Sequence, residues 1–142
     1  MEDFFSALEQ AFSDYRREAE TCVKNMKPTD GFLGFGHSLR DDACHARLDE
    51  RVKQTISELC ASQPSPEEAE RAVRFLLLRD DVQSWPTACQ WMIRAVERHS
   101  LPLIPFLTRE AAAAFLREYG ERYSRWERLP AQKEVFKALK AR

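Results

Sequence analysis

Proline and glycine fall almost wholly between apolar stretches of helical spacing, and this punctuation constrains the chain more than any other feature. Seven prolines and four glycines break the sequence. Between the breaks, apolar side chains recur every three or four residues, the period of one helix face. The expected fold is all-α: a compact bundle of five to six helices, with two stacked αα-hairpins in the C-terminal half.

The first helix is expected over 1–26, with Phe4, Leu8, Phe12, Tyr15, Ala19, Cys22 and Met26 on one face. Acidic residues near its start and Lys24 near its end match the helix dipole. Pro28 and Gly31 stop it. A Gly-rich loop fills 27–42. The next helix is expected over 43–61, with Asp42 as N-cap and Leu48, Val52, Ile56 and Leu59 as its stripe.

In the break Ser62–Pro66, Ser65, Pro66 and Glu68 form the signature of a capping box with proline at the first helical position. That helix should run to about Arg79. Phe75, Leu76, Leu77 and Leu78 are apolar on more than one face, which predicts the most buried helix of the set. Ser84-Trp85-Pro86 opens another, reaching His99, with Trp85, Cys89, Met92, Ile93 and Val96 inward. A charged His99 imidazole would suit the C-terminal end of that helix.

Pro102 and Pro105 forbid a regular α-helix in Leu101–Leu107, which predicts an extended crossover. Thr108 should cap a helix to about Tyr123, and Pro130 should open the last one, with Val135, Phe136 and Leu139 inward. Ser65 and Thr108 are 43 apart, and Pro86 and Pro130 are 44 apart. A period of about 40–47 is that of helical-hairpin repeats, but two copies are too few for a solenoid. The reading is two similar hairpins over 65–142, within a single domain spanning 1–142.

A chain of 142 residues, 44% hydrophobic and 32% charged, can bury a core without staples. Its net charge of −1 excludes a molecule that reads nucleic acid or an anionic membrane with its whole surface. No apolar run approaches the roughly 20 residues a membrane helix needs. No basic stretch followed by an apolar one stands at Met1, so no secretory signal is expected. Cys22, Cys44, Cys60 and Cys89 form no CxxC pair. Four reduced thiols in a cytoplasmic protein is the expectation.

Chemistry is densest between Thr29 and Glu50, which holds three of the four glycines and two of the three histidines. Gly31, Gly34 and Gly36 read GxxGxG, the reverse of a dinucleotide fingerprint and without a preceding strand. Phe32, Leu33 and Phe35 interleave with them. Burial as plugs under the helices is the ordinary fate of such side chains; the functional alternative is a hydrophobic loop that contacts a partner. His37, His45 and Asp49 contain donor types that suit a metal, although the usual zinc spacings are absent. Cys44 beside a helix start, with His37 in the loop, contains the residue types of a thiol nucleophile. Asp41 and Asp42 would oppose thiolate formation there, and a buried thiol is the simpler reading.

Residues 1–108 hold 13 Lys/Arg against 18 Asp/Glu, and residues 109–142 hold 9 against 5. In this basic third, Arg122, Arg125, Trp126, Arg128, Lys133, Lys137 and Lys140 mix cations with aromatics, the pattern of single-strand nucleic-acid binding. Glu118, Glu121, Glu127 and Glu134 dilute it. No group of catalytic residues emerges and no cofactor is expected, so the chain is not expected to be an enzyme. The leading expectation is a non-catalytic protein–protein interaction module with an unidentified protein partner. A small accessory or inhibitor protein acting on a larger enzyme fits that description. Nucleic-acid binding through the C-terminal third is the first alternative, and metal binding through His37 and His45 the second.

Overall fold

Among the described residues the apolar stripes of the sequence fall on helices. The computed structural model describes residues 2–25, 43–81, 84–85 and 87–142. The elements are α1 (Glu2–Asn25), α2 (Ala43–Ala61), α3 (Pro66–Leu77), α4 (Thr87–Ala95), a 3-10 segment (Val96–Phe106), α5 (Arg109–Arg122) and α6 (Pro130–Ala141). No strand occurs among the described residues.

Two long helices open the chain. On α1, Phe5, Leu8, Phe12, Tyr15 and Ala19 are buried; Phe4 is only half-buried, so the stripe runs through its neighbour instead. The 3-4-3-4 spacing keeps those side chains on one seam against α2. There Cys44, His45, Leu48, Val52, Ile56 and Leu59 face inward. Arg51 reaches Asp14 at 2.8 Å and Arg47 pairs with Glu18, a register that makes the two helices antiparallel.

Helix α3 starts as its sequence dictates. Ser65 Oγ accepts from the Glu68 amide at 3.2 Å, and the Ser65 amide donates to Glu68 Oε1 at 3.0 Å. Two otherwise unpaired N–H groups are thereby satisfied. The helix ends at Leu77, two residues before the expected Arg79. Its Ala69, Ala72, Val73, Leu76 and Leu77 are buried, whereas Phe75 and Leu78 are half-buried.

The most central element is not α3 but the 3-10 segment, which packs against α2, α3, α4 and α6. The expected helix to His99 therefore ends at Ala95, and the expected extended crossover is helical of a tighter kind. The physical reason lies in the two prolines. Each fixes φ near −65°, which a 3-10 turn accepts, while its ring clashes with the i−4 carbonyl of an α-turn. Pro102 and Pro105 point outward, which leaves Val96, Ser100, Leu103 and Ile104 inward.

The last two helices complete the core. Thr108 caps α5, its hydroxyl accepting from the Ala111 amide at 3.0 Å. The Gln132 side chain caps α6 by accepting from the Leu129 amide at 3.0 Å. Tyr119 on α5 and Phe136 on α6 stack with centroids 4.4 Å apart. Of the two similar hairpins, α5 and α6 pair directly, whereas α3 meets its extensive return contact in the 3-10 segment rather than in α4.

Candidate functional site

One carboxylic acid stands inside the core. Ile93, at the centre of the α4 stripe, puts position 97 one turn further on the same face, and that position is Glu97, 1% exposed. Its Oε2 accepts from the Gln132 amide at 2.8 Å and from the Tyr119 hydroxyl. Burial pushes the carboxyl up to about 8, against the pull of Tyr119, Gln132 and the charges of Arg94 and Arg122. Burial, then the neighbouring Glu97, also pushes the Tyr119 phenol up, and Tyr123 rises to about 12. Gln132 closes the network, its Oε1 accepting from Arg94 Nη2 at 2.7 Å. The 3-10 segment, α4, α5 and α6 thus meet at one buried polar node. A carboxyl sealed among a phenol, an amide and packed side chains joins elements; it has no open face for substrate.

A second polar cluster lies nearer α2. Asp49 Oδ1 takes Arg98 Nη2 at 2.6 Å and His99 Nε2 at 2.8 Å. Burial holds the His99 imidazole below its usual value despite Asp49. The expectation of a charged His99 at a helix end is therefore corrected: desolvation exceeds the carboxylate's attraction. His45 is buried, with its Nδ1 2.9 Å from the Tyr15 hydroxyl and its ring 5.1 Å from that of Trp91. Of the metal-donor trio, Asp49 thus holds Arg98 and His99, His45 faces Tyr15, and His37 lies outside the described residues. No group of three or more potential ligands occurs among the described residues.

Phe32, Leu33 and Phe35, the apolar contact candidates, and the three loop glycines also lie outside the described residues, as do Asp41 and Asp42. Cys44 is 3% exposed and Cys89 fully buried, as the reading of thiols as small hydrophobes implies. Burial pushes the half-buried Cys60 thiol up.

The basic C-terminal third divides into two sets. Arg122 is tied inward, Nη1 to the Arg79 carbonyl and Nη2 to Asp80 at 3.3 Å. Arg128 donates from Nε to the Tyr123 carbonyl at 3.1 Å and lies 3.5 Å over the Phe136 ring. Tyr119 and Tyr123 are core residues. The outward set is Arg125, Trp126, Lys133, Lys137 and Lys140. Trp126 is 90% exposed, with the Arg125 guanidinium 5.7 Å from its ring centroid. The three lysines share one flank of α6 by their spacing and carry no ion pair among the described residues.

Glu97, Gln132 and the inward arginines were missed by sequence reasoning as members of one network. The usable signal was a polar residue at an apolar stripe position: Glu97 four after Ile93, Gln132 three before Val135. No helix among the described residues is long and apolar enough to cross a membrane. Set against known proteins, the chain matches no family model, no curated protein and no solved structure.

Proposed function

We propose that this chain is a non-catalytic protein–protein interaction module that grips its partner through the α5–α6 corner around Trp126. The observation that carries the reading is the presentation of this side chain. It is the one large hydrophobic left exposed among the described residues, and its turn is fixed from both sides. The Glu127 amide donates to the Ser124 carbonyl at 3.0 Å, and Arg94 reaches the Glu127 carbonyl. Arg128 closes the far end onto Tyr123. A rigid turn offering a tryptophan and an arginine loses little entropy on binding, and these residue types dominate interface hot spots. Phe32, Leu33 and Phe35 form a second proposed contact, on their sequence alone. An accessory or inhibitor role toward a larger enzyme accords with such a module.

The test is affinity capture from the source cell with the wild-type chain and with Trp126→Ala. The variant should keep the wild-type melting temperature and lose the proteins that the wild type retains. An unchanged set of retained proteins would refute the role of Trp126.

A second reading is supported by the exposed lysines of α6. Lys133, Lys137 and Lys140 would hold phosphates while Trp126 stacks on a base. Binding of single-stranded oligonucleotides at about 50 mM salt, where phosphate affinity is greatest, decides it. Absence of binding there removes this reading.

A further inference from the structure

Three arginines from three different parts of the chain line one cleft on the side of the bundle. Its volume is about 420 Å³, and its walls carry Arg79 just beyond α3, Gln90 and Arg94 from α4, and Arg122 and Tyr123 from the end of α5. Asp80 and Glu127 complete the lining. The Asp80 side chain is fully exposed and serves to hold Arg122; Glu127 is exposed too. Each guanidinium is anchored by part of its donor fork. Arg79 gives Nε and Nη2 to the Asp81 carboxylate at 3.1 and 3.0 Å. Arg122 gives Nη1 and Nη2 to the Arg79 carbonyl and Asp80. Arg94 gives Nη2 to Gln132 and the Glu127 carbonyl, while its buried Nε has no hydrogen-bond partner among the described residues. A buried N–H without an acceptor is costly, and native structures seldom leave one so.

We propose that this cleft, which shares Arg94 and Glu127 with the turn that presents Trp126, binds the phosphoryl group of a small phosphorylated molecule. A phosphate monoester has several strong acceptor oxygens and close to two negative charges, which match pre-oriented guanidinium forks better than a lone carboxylate does. The inner cleft has the size of a small-molecule site rather than of a bare ion. A neighbouring wider space of about 850 Å³ shares Arg79, Asp80 and Arg122 with it and adds Arg74, Phe75, Leu78, Asp81, Glu118 and Glu121. The apolar pair there suits an uncharged organic group; Arg74 is paired with Glu118 at 3.2 Å, and Asp80, Asp81 and Glu121 oppose a second phosphate. The ligand class is therefore a monophosphate with a neutral or apolar body, not a diphosphate.

Titration calorimetry with phenyl phosphate, inorganic phosphate and benzoate tests this on the full chain. Phenyl phosphate should bind with a dissociation constant of about 1 mM or below, more tightly than inorganic phosphate, and benzoate should bind at least tenfold more weakly. Arg94→Lys and Arg122→Lys keep the charge but lose the fork, so each should weaken phenyl phosphate at least tenfold; the exposed Arg117→Lys, outside the cleft, should not. If Arg94→Lys fails to fold by circular dichroism, Arg122→Lys decides. No heat with phenyl phosphate at about 10 mM would overturn the proposal, as would equal binding of benzoate or undiminished binding in the folded cleft variants.

Discussion

Glu97 adds to the sensitivity of the fold to alkaline pH, and Glu97→Gln should remove that contribution. The carboxyl titrates near 4.5 when unfolded and at about 8 in the bundle, because burial penalises its charge. The folded chain thus holds a proton that the unfolded chain has lost, throughout the window from 4.5 to about 8. The Glu97 contribution to stability falls as pH rises through that window and levels off above it. The full difference corresponds to about 5 kcal/mol, an upper figure at about 1.4 kcal/mol per unit. Between pH 7 and 9 the fall is about 1.4 kcal/mol. This interval is the informative one, because the His99 contribution has the opposite sign and is complete near its unfolded value of 6.5. Glutamine preserves the shape of the side chain and cannot titrate. Guanidinium unfolding of both proteins at pH 7 and 9 should show the wild type losing about 1.4 kcal/mol more than Glu97→Gln. Parallel losses in the two proteins would refute the account of Glu97 as a buried, protonated acid.

Gly120→Ala should stabilise the protein by about 0.5–1 kcal/mol in chemical denaturation. A Cβ built there meets Phe136 Cε1 at 3.9 Å, an ordinary contact, so the helix gains propensity without strain; a loss of stability would show that α5 and α6 approach more closely than described. Leu103→Ala should cost about 2–5 kcal/mol, because the residue is fully buried in the 3-10 segment that four helices pack against. A cost below about 1 kcal/mol, the range of surface substitutions, would remove that segment from the centre of the fold.

The legible part of this chain is what a few neighbouring residues decide among themselves. Ser65 and Glu68 satisfy each other's backbone amides three residues apart, and Thr108 reaches the Ala111 amide in the same way. No distant partner is needed, so both helix starts could be read from sequence. The stripes of α1 and α2 were legible for the same reason, although the spacing put Phe4 on the seam where Phe5, packed edge-on against Phe75 of α3, is the buried residue. Leu101–Leu107 marks where local reasoning ends. Two prolines exclude α-helix, but an extended strand and a 3-10 turn both accept their φ. The choice between them is made by Leu103 and Ile104, which enter the core from a tight turn.

The basic third carries the same lesson for the candidate site. Arg122, Arg125 and Arg128 look alike in sequence at intervals of three. Only the packed fold turns Arg122 toward the Arg79 carbonyl and Arg128 over Phe136, leaving Arg125 beside the exposed Trp126. Glu97 and Gln132, each out of place in its own apolar stripe, explain one another once their helices meet. A buried polar residue alone is a defect; two that interrupt their stripes at facing positions specify how those helices must dock, because any slip in register would bury a carboxyl and an amide unpaired.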